Sequence, residues 1–254
     1  MAKLTAKGIL DAKGKKKFAQ VWVDGYDTAQ ACEIAGIDML SVRVANLKQA
    51  RMGAPNTFIT AASPRGTYNS SDAEAIKTAF SLMNDGADAV YMCAALDRIK
   101  AVAKERIPVV GHVGFVPAYF TWIGGYKAFG KNAQDALGVY RDTLAHQEAG
   151  AFAVEIEVVP YKLAAEITKR VDICMISLGS GPGCDCEYLF GTDILGTYKG
   201  HYPRHAKKYR NHFEDSVEAF SEFKRDVANG SFPEKRHIVE IGDEELEKFI
   251  KEVN

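Results

Sequence analysis

The 254-residue sequence lacks any apolar run of the roughly 20 residues that a membrane span needs, and its first residues contain no apolar core of signal-peptide length. It also lacks a dominant charge: 32 Lys and Arg stand against 33 Asp and Glu, which gives a net charge of −1. Such a balance gives no reason to expect nucleic acid or an anionic membrane surface as a partner. We therefore expect a cytoplasmic protein with no membrane and no nucleic-acid partner.

Cysteine is also scarce, and the five residues present do not form a metal-binding pattern. Their number is odd, and no CxxC or Cys/His spacing of a zinc site occurs. We therefore expect free thiols in a reducing compartment. No GxGxxG sequence follows a predicted strand, so a dinucleotide site has no support. No cofactor is expected.

Short apolar runs alternate with helical patterns along the chain, which is typical of βαβ units in a parallel sheet. The predicted strands are Phe18–Val23, Asp38–Val44, Thr57–Ala62, Ala87–Cys93, Pro108–Val113, Phe152–Val158 and Ile173–Leu178, with a weak eighth near Asp193–Thr197. The predicted helices include Ser70–Asn84, Gln134–Ala149 and Pro160–Arg170. Eight strands and repeated glycines at helix ends favour a closed barrel over an open doubly wound sheet.

No linker rich in Pro, Gly or Ser and no break in composition divides the chain. The sequence therefore predicts an α/β fold, a (βα)8 TIM barrel that forms a single domain over residues 1–254. Residues 1–17 form a leading segment, and residues 215–254 form a charged C-terminal tail. The tail is expected to pack either on a neighbouring subunit or on the bottom of the barrel.

The active site of such a barrel lies at the C-terminal ends of the strands. Because alternate side chains of a strand point into the barrel, Glu155 and Glu157 are predicted to face inward, with Val154, Ile156 and Val158 on the outside. The candidate site residues are the polar side chains at strand ends and in the loops that follow: Asp24, Arg43, Arg65, Tyr91, Cys93, His112, Glu157, Ser177 and Ser180.

Several of these candidates also have a purely structural interpretation. Asp24 stands near a helix start and is compatible with a cap as well as with an acid. Arg65 follows a proline in a loop and is compatible with a solvated side chain. Cys93 and His112 are each compatible with a buried core position as well as with a chemical role.

Glu157 is harder to explain without a function, because a carboxylate that enters a barrel lumen is costly unless it is paired. Arg43 has two interpretations, an ion pair with Glu155 inside the barrel or the binding of an anion. The glycine-rich segment Gly179–Gly183 is compatible with a phosphate-binding loop and equally with a tight turn. Asp185 is interpreted as a helix cap.

Several motifs resemble the ketopantoate hydroxymethyltransferase family of the phosphoenolpyruvate/pyruvate barrel superfamily, in one register from about residue 15 to about residue 240. The segment GHVGFVP with the later GGYKAFG resembles the family's GHxGxxPQ…GGYxxQG, and RMGAPN its RGAPN. The segment GAFAVEIEVVP resembles its sixth strand, GSG its GIGAG, and GHYPRHAK its GHxPKFAK. These segments are Gly111–Pro117, Gly124–Gly130, Arg51–Asn56, Gly150–Pro160, Gly179–Gly181 and Gly200–Lys207. The resemblance implies that Glu157 is the catalytic base.

The sequence departs from this family at the positions of its metal site. The family's aspartate at the end of strand two falls at Val44 or Arg43, and its aspartate at the end of strand three falls at Ala62. The lysine and glutamate of its fourth strand fall at Tyr91 and Cys93. Magnesium needs several hard oxygen ligands, so the resemblance with these departures implies a divergent paralogue without a metal.

The leading functional hypothesis is a metal-independent lyase or transferase that makes or breaks a C–C or C–heteroatom bond beside a carbonyl or carboxylate. Its substrate is expected to be small and anionic, similar to a 2-oxo acid. Glu157 is predicted to be the general base or acid, His112 a hydrogen-bonding catalytic residue, and Cys93 a proton relay. Arginine binds carboxylates through its planar fork and can stabilise an enolate. The predicted substrate-binding residues are Arg43, Arg65, Asp24, Tyr91 and Ser180.

Two alternatives remain at this stage. One is the family's own reaction, hydroxymethyl transfer from methylene-tetrahydrofolate to 3-methyl-2-oxobutanoate, which the retained Glu157 favours and the lost ligands oppose. The other is a non-catalytic paralogue with a scaffold or ligand-binding role. The family resemblance and the charged tail together also predict a homo-oligomer.

Overall fold

The computed structural model describes residues 3–62 and 71–253. Eight parallel strands pair in chain order and close into a barrel, so the predicted (βα)8 architecture is confirmed. The strands are β1 (Phe18–Val23), β2 (Met39–Arg43), β3 (Phe58–Ala62), β4 (Ala89–Tyr91), β5 (Val109–Gly114), β6 (Ala153–Glu157), β7 (Cys174–Leu178) and β8 (Cys186–Phe190).

The helices of the described residues surround or extend this barrel. They are α1 (Ala6–Asp11), α2 (Tyr26–Ala35), α3 (Leu47–Gly53), α4 (Asp72–Asn84), α5 (Leu96–Lys104), α6 (Phe120–Ile123), α7 (Ala133–Glu148), α8 (Tyr161–Thr168), α9 (Gly191–Leu195), α10 (His212–Asn229) and α11 (Asp243–Val253). The predicted helix that includes residue 70 begins at Asp72, where the Ser71 hydroxyl accepts from the backbone N–H of Glu74. None of these helices is long and apolar enough to cross a membrane, as far as the described residues go.

Side-chain alternation separates two apolar layers. The outward side chains of the strands, such as Val42, Ile59 and Val90, pack under the helices. The inward side chains at the strand starts, such as Phe18 and Phe58, fill the bottom of the barrel together with Ile9 of α1, which is 1% exposed. The leading segment therefore closes the bottom of the barrel and leaves the opposite end for a site.

The prediction for the eighth strand was wrong. β8 is Cys186–Phe190, and the segment predicted as the strand, Asp193–Thr197, belongs to the short helix α9 and the turn after it. Ile176 of β7 pairs with Cys186, the first residue of β8, so the strand stagger lets residues 179–185 make the whole connection. Since no helix separates the two strands, the alternation of strand and helix gave no signal here.

The same region corrects two further interpretations. Asp185 does not cap a helix: its carboxylate accepts from the Met175 backbone N–H at 2.9 Å and pairs with Lys13 Nζ at 2.6 Å. The glycine-rich segment leads directly into β8, so it is a tight connection without the helix N-terminus that a phosphate loop uses.

The C-terminal tail stands apart from this compact body. Neither α10 nor α11 contains a buried residue. Apolar side chains on α10 remain open, with Val217 46%, Phe220 72% and Val227 52% exposed. Contiguous exposed apolar surface of this kind is typical of a surface that contacts a partner.

Candidate active site

A cavity of about 530 Å³ opens at the C-terminal ends of the strands. All eight strands contribute side chains to its lining, with Ala62 from β3, and the start of the loop after β5 completes it. Its lining residues are Trp22, Ser41, Arg43, Ala62, Tyr91, His112, Pro117, Ala118, Glu155, Glu157, Leu178, Tyr188 and Phe190. The position is the one that barrel enzymes use for chemistry.

Three ionisable side chains meet in the wall formed by β5 and β6. His112 Nε2 lies 3.1 Å from Glu157 Oε2, and His112 Nδ1 lies 3.6 Å from Glu155 Oε2. The contact between His112 Nε2 and Glu157 is an ion pair when the imidazole is protonated. All three residues are buried, with 6–8% of each exposed. A buried histidine between two carboxylates is a group that can hold and release a proton.

The environment raises the pKa of two of these groups, which favours the protonated form of each. Burial alone lowers the pKa of His112, but the carboxylates of Glu157 and Glu155 outweigh it and leave the pKa raised above its usual value. Burial raises the pKa of Glu155 to about 7, against the opposing charge of His112. The cluster therefore changes its proton content near pH 7, as expected of acid–base groups.

Tyr91 extends this cluster on β4. Its hydroxyl oxygen lies 2.7 Å from His112 Nδ1, and the two rings meet edge to face with centroids 5.9 Å apart. Burial, with the nearby Glu155, raises the pKa of Tyr91 well above its usual value, so the hydroxyl keeps its proton. When the imidazole is neutral, Tyr91 donates to Nδ1 and the Nε2–H faces Glu157. Tyr91 is thus placed to fix the tautomer of His112.

The opposite wall of the cavity is aromatic. Trp22 of β1 and Phe190 of β8 have ring centroids 5.4 Å apart, and Tyr188 stacks on Phe190 at 5.6 Å. The Arg43 guanidinium lies over the Trp22 ring, 5.5 Å from its centroid. A planar cation over an indole face is a favourable arrangement.

The sequence predictions missed this wall and the role of Glu155. Tyr188 and Phe190 were hidden by the misplaced eighth strand. Trp22 was detectable, because it follows Phe18 at an even spacing on a correctly predicted strand. The suggested ion pair of Arg43 with Glu155 does not form: Arg43 lies on Trp22, while the near partner of Glu155 is His112.

Of the predicted site residues, Glu157, His112, Arg43 and Tyr91 come together around the cavity. Cys93 is half-buried beyond the end of β4 and does not line the cavity. Arg65 lies outside the described residues.

Two other predicted residues have local partners. Asp24 is exposed after β1, where its carboxylate accepts from the Thr28 hydroxyl; the helix cap position itself is Gly25. Ser180 is fully buried in the connection after β7. Its hydroxyl donates to the Ile156 carbonyl at 2.8 Å and accepts from the Val159 N–H at 3.1 Å. Ser180 therefore ties β7 to the end of β6, and it does not line the cavity.

A second cavity of about 590 Å³ adjoins the first, and Glu157 lines both. The basic side chains of Lys127, His201, Arg204 and His205 surround the second cavity. The His205 ring packs against the backbone of Gly179, so the segment after α9 reaches the end of β7. Glu157 is accordingly accessible from two directions.

The residues present do not fit a magnesium site at the strand ends. Ala62 offers only a methyl group, and Val44 only an apolar side chain. The Tyr91 hydroxyl is engaged by His112, and the nearby Arg43 carries positive charge. Within residues 3–62 and 71–253, no group of three or more His, Cys, Asp or Glu side chains is arranged to hold a metal ion.

Solved structures of low sequence identity share this fold. The barrel superposes on 2,3-dimethylmalate lyase, a PEP mutase/isocitrate lyase superfamily member, with a TM-score of 0.60, 15% identity and coverage of 88% of this chain and 89% of the other. It superposes on phosphonopyruvate hydrolase with a TM-score of 0.56, 14% identity and coverage of 98% and 96%. These similarities show the fold, a (βα)8 barrel.

The sequence comparison is more specific. The family model of ketopantoate hydroxymethyltransferase matches residues 37–235, and the chain belongs to this family. The 3-methyl-2-oxobutanoate hydroxymethyltransferase of Pyrococcus abyssi (strain GE5 / Orsay) is 34% identical, with 99% of this chain and 98% of that protein covered. The enzyme of the same name from Alkaliphilus metalliredigens (strain QYMF) is 35% identical, with 97% and 98% covered. The resemblance predicted from the motifs is confirmed.

Proposed function

We propose that this family member is a metal-independent enzyme that makes or breaks a C–C or C–heteroatom bond beside the carbonyl of a small 2-oxo-acid-like carboxylate. One observation carries the proposal. Glu157 is kept beside His112 at 3.1 Å, whereas the positions that resemble the family's metal ligands hold Ala62, Val44 or Arg43, and Tyr91 or Cys93. The acid–base group is present without a donor set for magnesium.

The described residues support a division of roles. Glu157 takes the proton beside the carbonyl, and His112 donates a hydrogen bond to the enolate oxygen that forms. Arg43, at the mouth, binds the substrate carboxylate. Tyr91 orients His112, and the Glu155 carboxylate stabilises the protonated, positively charged form of the imidazole. Cys93, outside the cavity lining, is a weaker candidate for proton relay.

A second candidate is the reaction named for the relatives, hydroxymethyl transfer to 3-methyl-2-oxobutanoate. The second cavity favours it, because a transferase needs room for two reactants and Glu157 lies on both cavities. The missing ligand set opposes it. We also propose that the protein works in the cytoplasm. We propose in addition that it forms a homo-oligomer, and the exposed apolar side chains of α10 and α11 support this assembly.

The test is proton exchange at C3 of 2-oxo acids in D2O, followed by NMR for pyruvate, 2-oxobutanoate and 3-methyl-2-oxobutanoate, with and without a chelator. We expect enzyme-dependent exchange with at least one of them that the chelator leaves unchanged. Exchange that disappears with the chelator and returns with magnesium would reject metal independence. Product formation with methylene-tetrahydrofolate would favour the second candidate.

A further inference from the structure

We infer that the substrate carries a flat aromatic or conjugated group beside its carboxylate, and that Trp22 and Phe190 bind this group. The inference rests on the proposed function, since it takes the lumen cavity as the site of a small carboxylate substrate. It adds the chemical class of the substrate's side chain.

The first support is the flat surface formed by rings on neighbouring strands. Trp22 and Phe190 are half-buried and line the cavity together with the buried Tyr188. Phe190 stacks on Tyr188 with an interplanar angle of 17°, and Trp22 is tilted from Phe190 by 33°. A flat ligand group gains more contact with such a surface than a branched one.

The second support is the position of the cation. The Arg43 guanidinium lies over the Trp22 ring, 5.5 Å from its centroid. A carboxylate bound by Arg43 therefore holds the adjacent carbons of the ligand close to Trp22. Only a substrate whose anionic and flat groups are neighbours satisfies both contacts at once.

The third support is the wall across the lumen. In the closed barrel, β8 and β1 lie opposite β4 and β5, so the aromatic surface faces Tyr91 and His112. Small side chains, Ser41 and Ala62, lie between the two walls and leave space for a ligand. A flat group on Trp22 and Phe190 directs the carbon beside the carbonyl toward His112 and Glu157. Packing and chemistry thus require the same orientation.

Calorimetry with three probe acids tests this inference without turnover. Phenylpyruvate is flat, 3-cyclohexyl-2-oxopropanoate has similar size but is not flat, and pyruvate has no side-chain ring. We expect phenylpyruvate to bind at least about tenfold more tightly than pyruvate, with the cyclohexyl compound between them, in line with the gain of an aromatic pair over plain burial.

Variants separate the two contacts. Phe190→Val removes part of the aromatic surface and should reduce the phenylpyruvate preference over pyruvate to about threefold or less. Phe80→Val makes the same change on an exposed phenylalanine of α4 and should alter neither affinity. Arg43→Gln should weaken all three acids by a similar factor. If Phe190→Val does not fold, as judged by circular dichroism, Trp22→Leu carries the same expectation.

The outcomes are distinct from those of the proposed function. Equal affinity for phenylpyruvate and pyruvate, or a preference that Phe190→Val and Trp22→Leu both leave intact, would overturn the inference. A strong phenylpyruvate preference without proton exchange would support the inference and count against the proposed catalysis. Binding of none of the three acids would overturn both.

Discussion

Glu157→Gln is the most direct perturbation of the proposed chemistry. Glutamine keeps the size and the buried position of Glu157 but cannot take a proton. Loss of a general base typically lowers turnover by about 10²–10⁴-fold. At about 1.4 kcal/mol for each tenfold change, this corresponds to roughly 3–5.5 kcal/mol of lost transition-state stabilisation.

The structure also predicts a small effect of this substitution on stability. Removing the Glu157 charge loses the ion pair with His112 at 3.1 Å, which is destabilising. It also removes the repulsion between Glu157 and Glu155, which contributes to the raised pKa of Glu155. Because these two effects oppose each other, we expect a change in the free energy of unfolding of no more than about 1–2 kcal/mol.

The assay is proton exchange in D2O with the best 2-oxo acid, measured beside thermal unfolding and calorimetric binding. The matched control is Glu187→Gln, a glutamate on the outer face of β8 that does not line the cavity. The control should keep full exchange activity. Full activity of Glu157→Gln would refute the mechanism, and inactivity with an equal loss of folding would assign Glu157 a structural role only.

Three further predictions follow from the same geometry. Burial raises the pKa of Glu155 from 4.5 to about 7, so between these two pH values the folded state keeps a proton that the unfolded state has lost. The free energy of unfolding should therefore fall, by on the order of 3 kcal/mol, as pH rises from 4.5 to 7. Urea titrations from pH 4 to 8 should show this fall in the free energy of unfolding. The Glu155→Gln variant should lack the Glu155 contribution to it, whereas the control Glu244→Gln on α11 should retain that contribution. Arg43→Gln should weaken carboxylate binding without lowering the melting temperature, since Arg43 does not pair with Glu155; a large drop in melting temperature would contradict this. Phe220→Glu on α10 should shift an oligomer to monomers in light scattering, whereas Glu222→Gln should not, and a wild-type protein that is monomeric at all concentrations would refute the assembly.

Seven strands of the fold were predictable because each carries a row of buried apolar side chains on its outer face, and helical patterns separate these seven from one another. β1 was predicted with its observed bounds, Phe18–Val23, and the other six differ by one or two residues at an end. The eighth failed for a geometric reason. The shear of the barrel places Cys186 beside Ile176, and such a short connection leaves no separating helix.

The site was predictable where alternation alone decides the direction of a side chain. It correctly placed Glu155 and Glu157 in the lumen. It did not decide which charged groups would pair, because pairing depends on the angular positions of strands around a closed barrel. His112 is on β5, next to β6, and so it meets the two glutamates before Arg43 on β2 can. The apparent candidates Asp24 and Ser180 were partnered by neighbours that strand patterns do not reveal.

In the proposed metal-independent mechanism, the charges of the described lumen residues supply the selection for an anion. Glu155 and Glu157 bring two carboxyl groups, and His112 and Arg43 bring two cations when the imidazole is protonated. Since Glu155 has a pKa of about 7, it is ionised above that pH, and below it the neutral carboxyl leaves the lumen one charge more positive. A bound carboxylate favours the second state, because its charge opposes the ionisation of Glu155. In this mechanism, substrate binding and protonation of Glu155 are therefore coupled, and the proton taken up on binding would supply part of the positive charge that a divalent cation provides elsewhere.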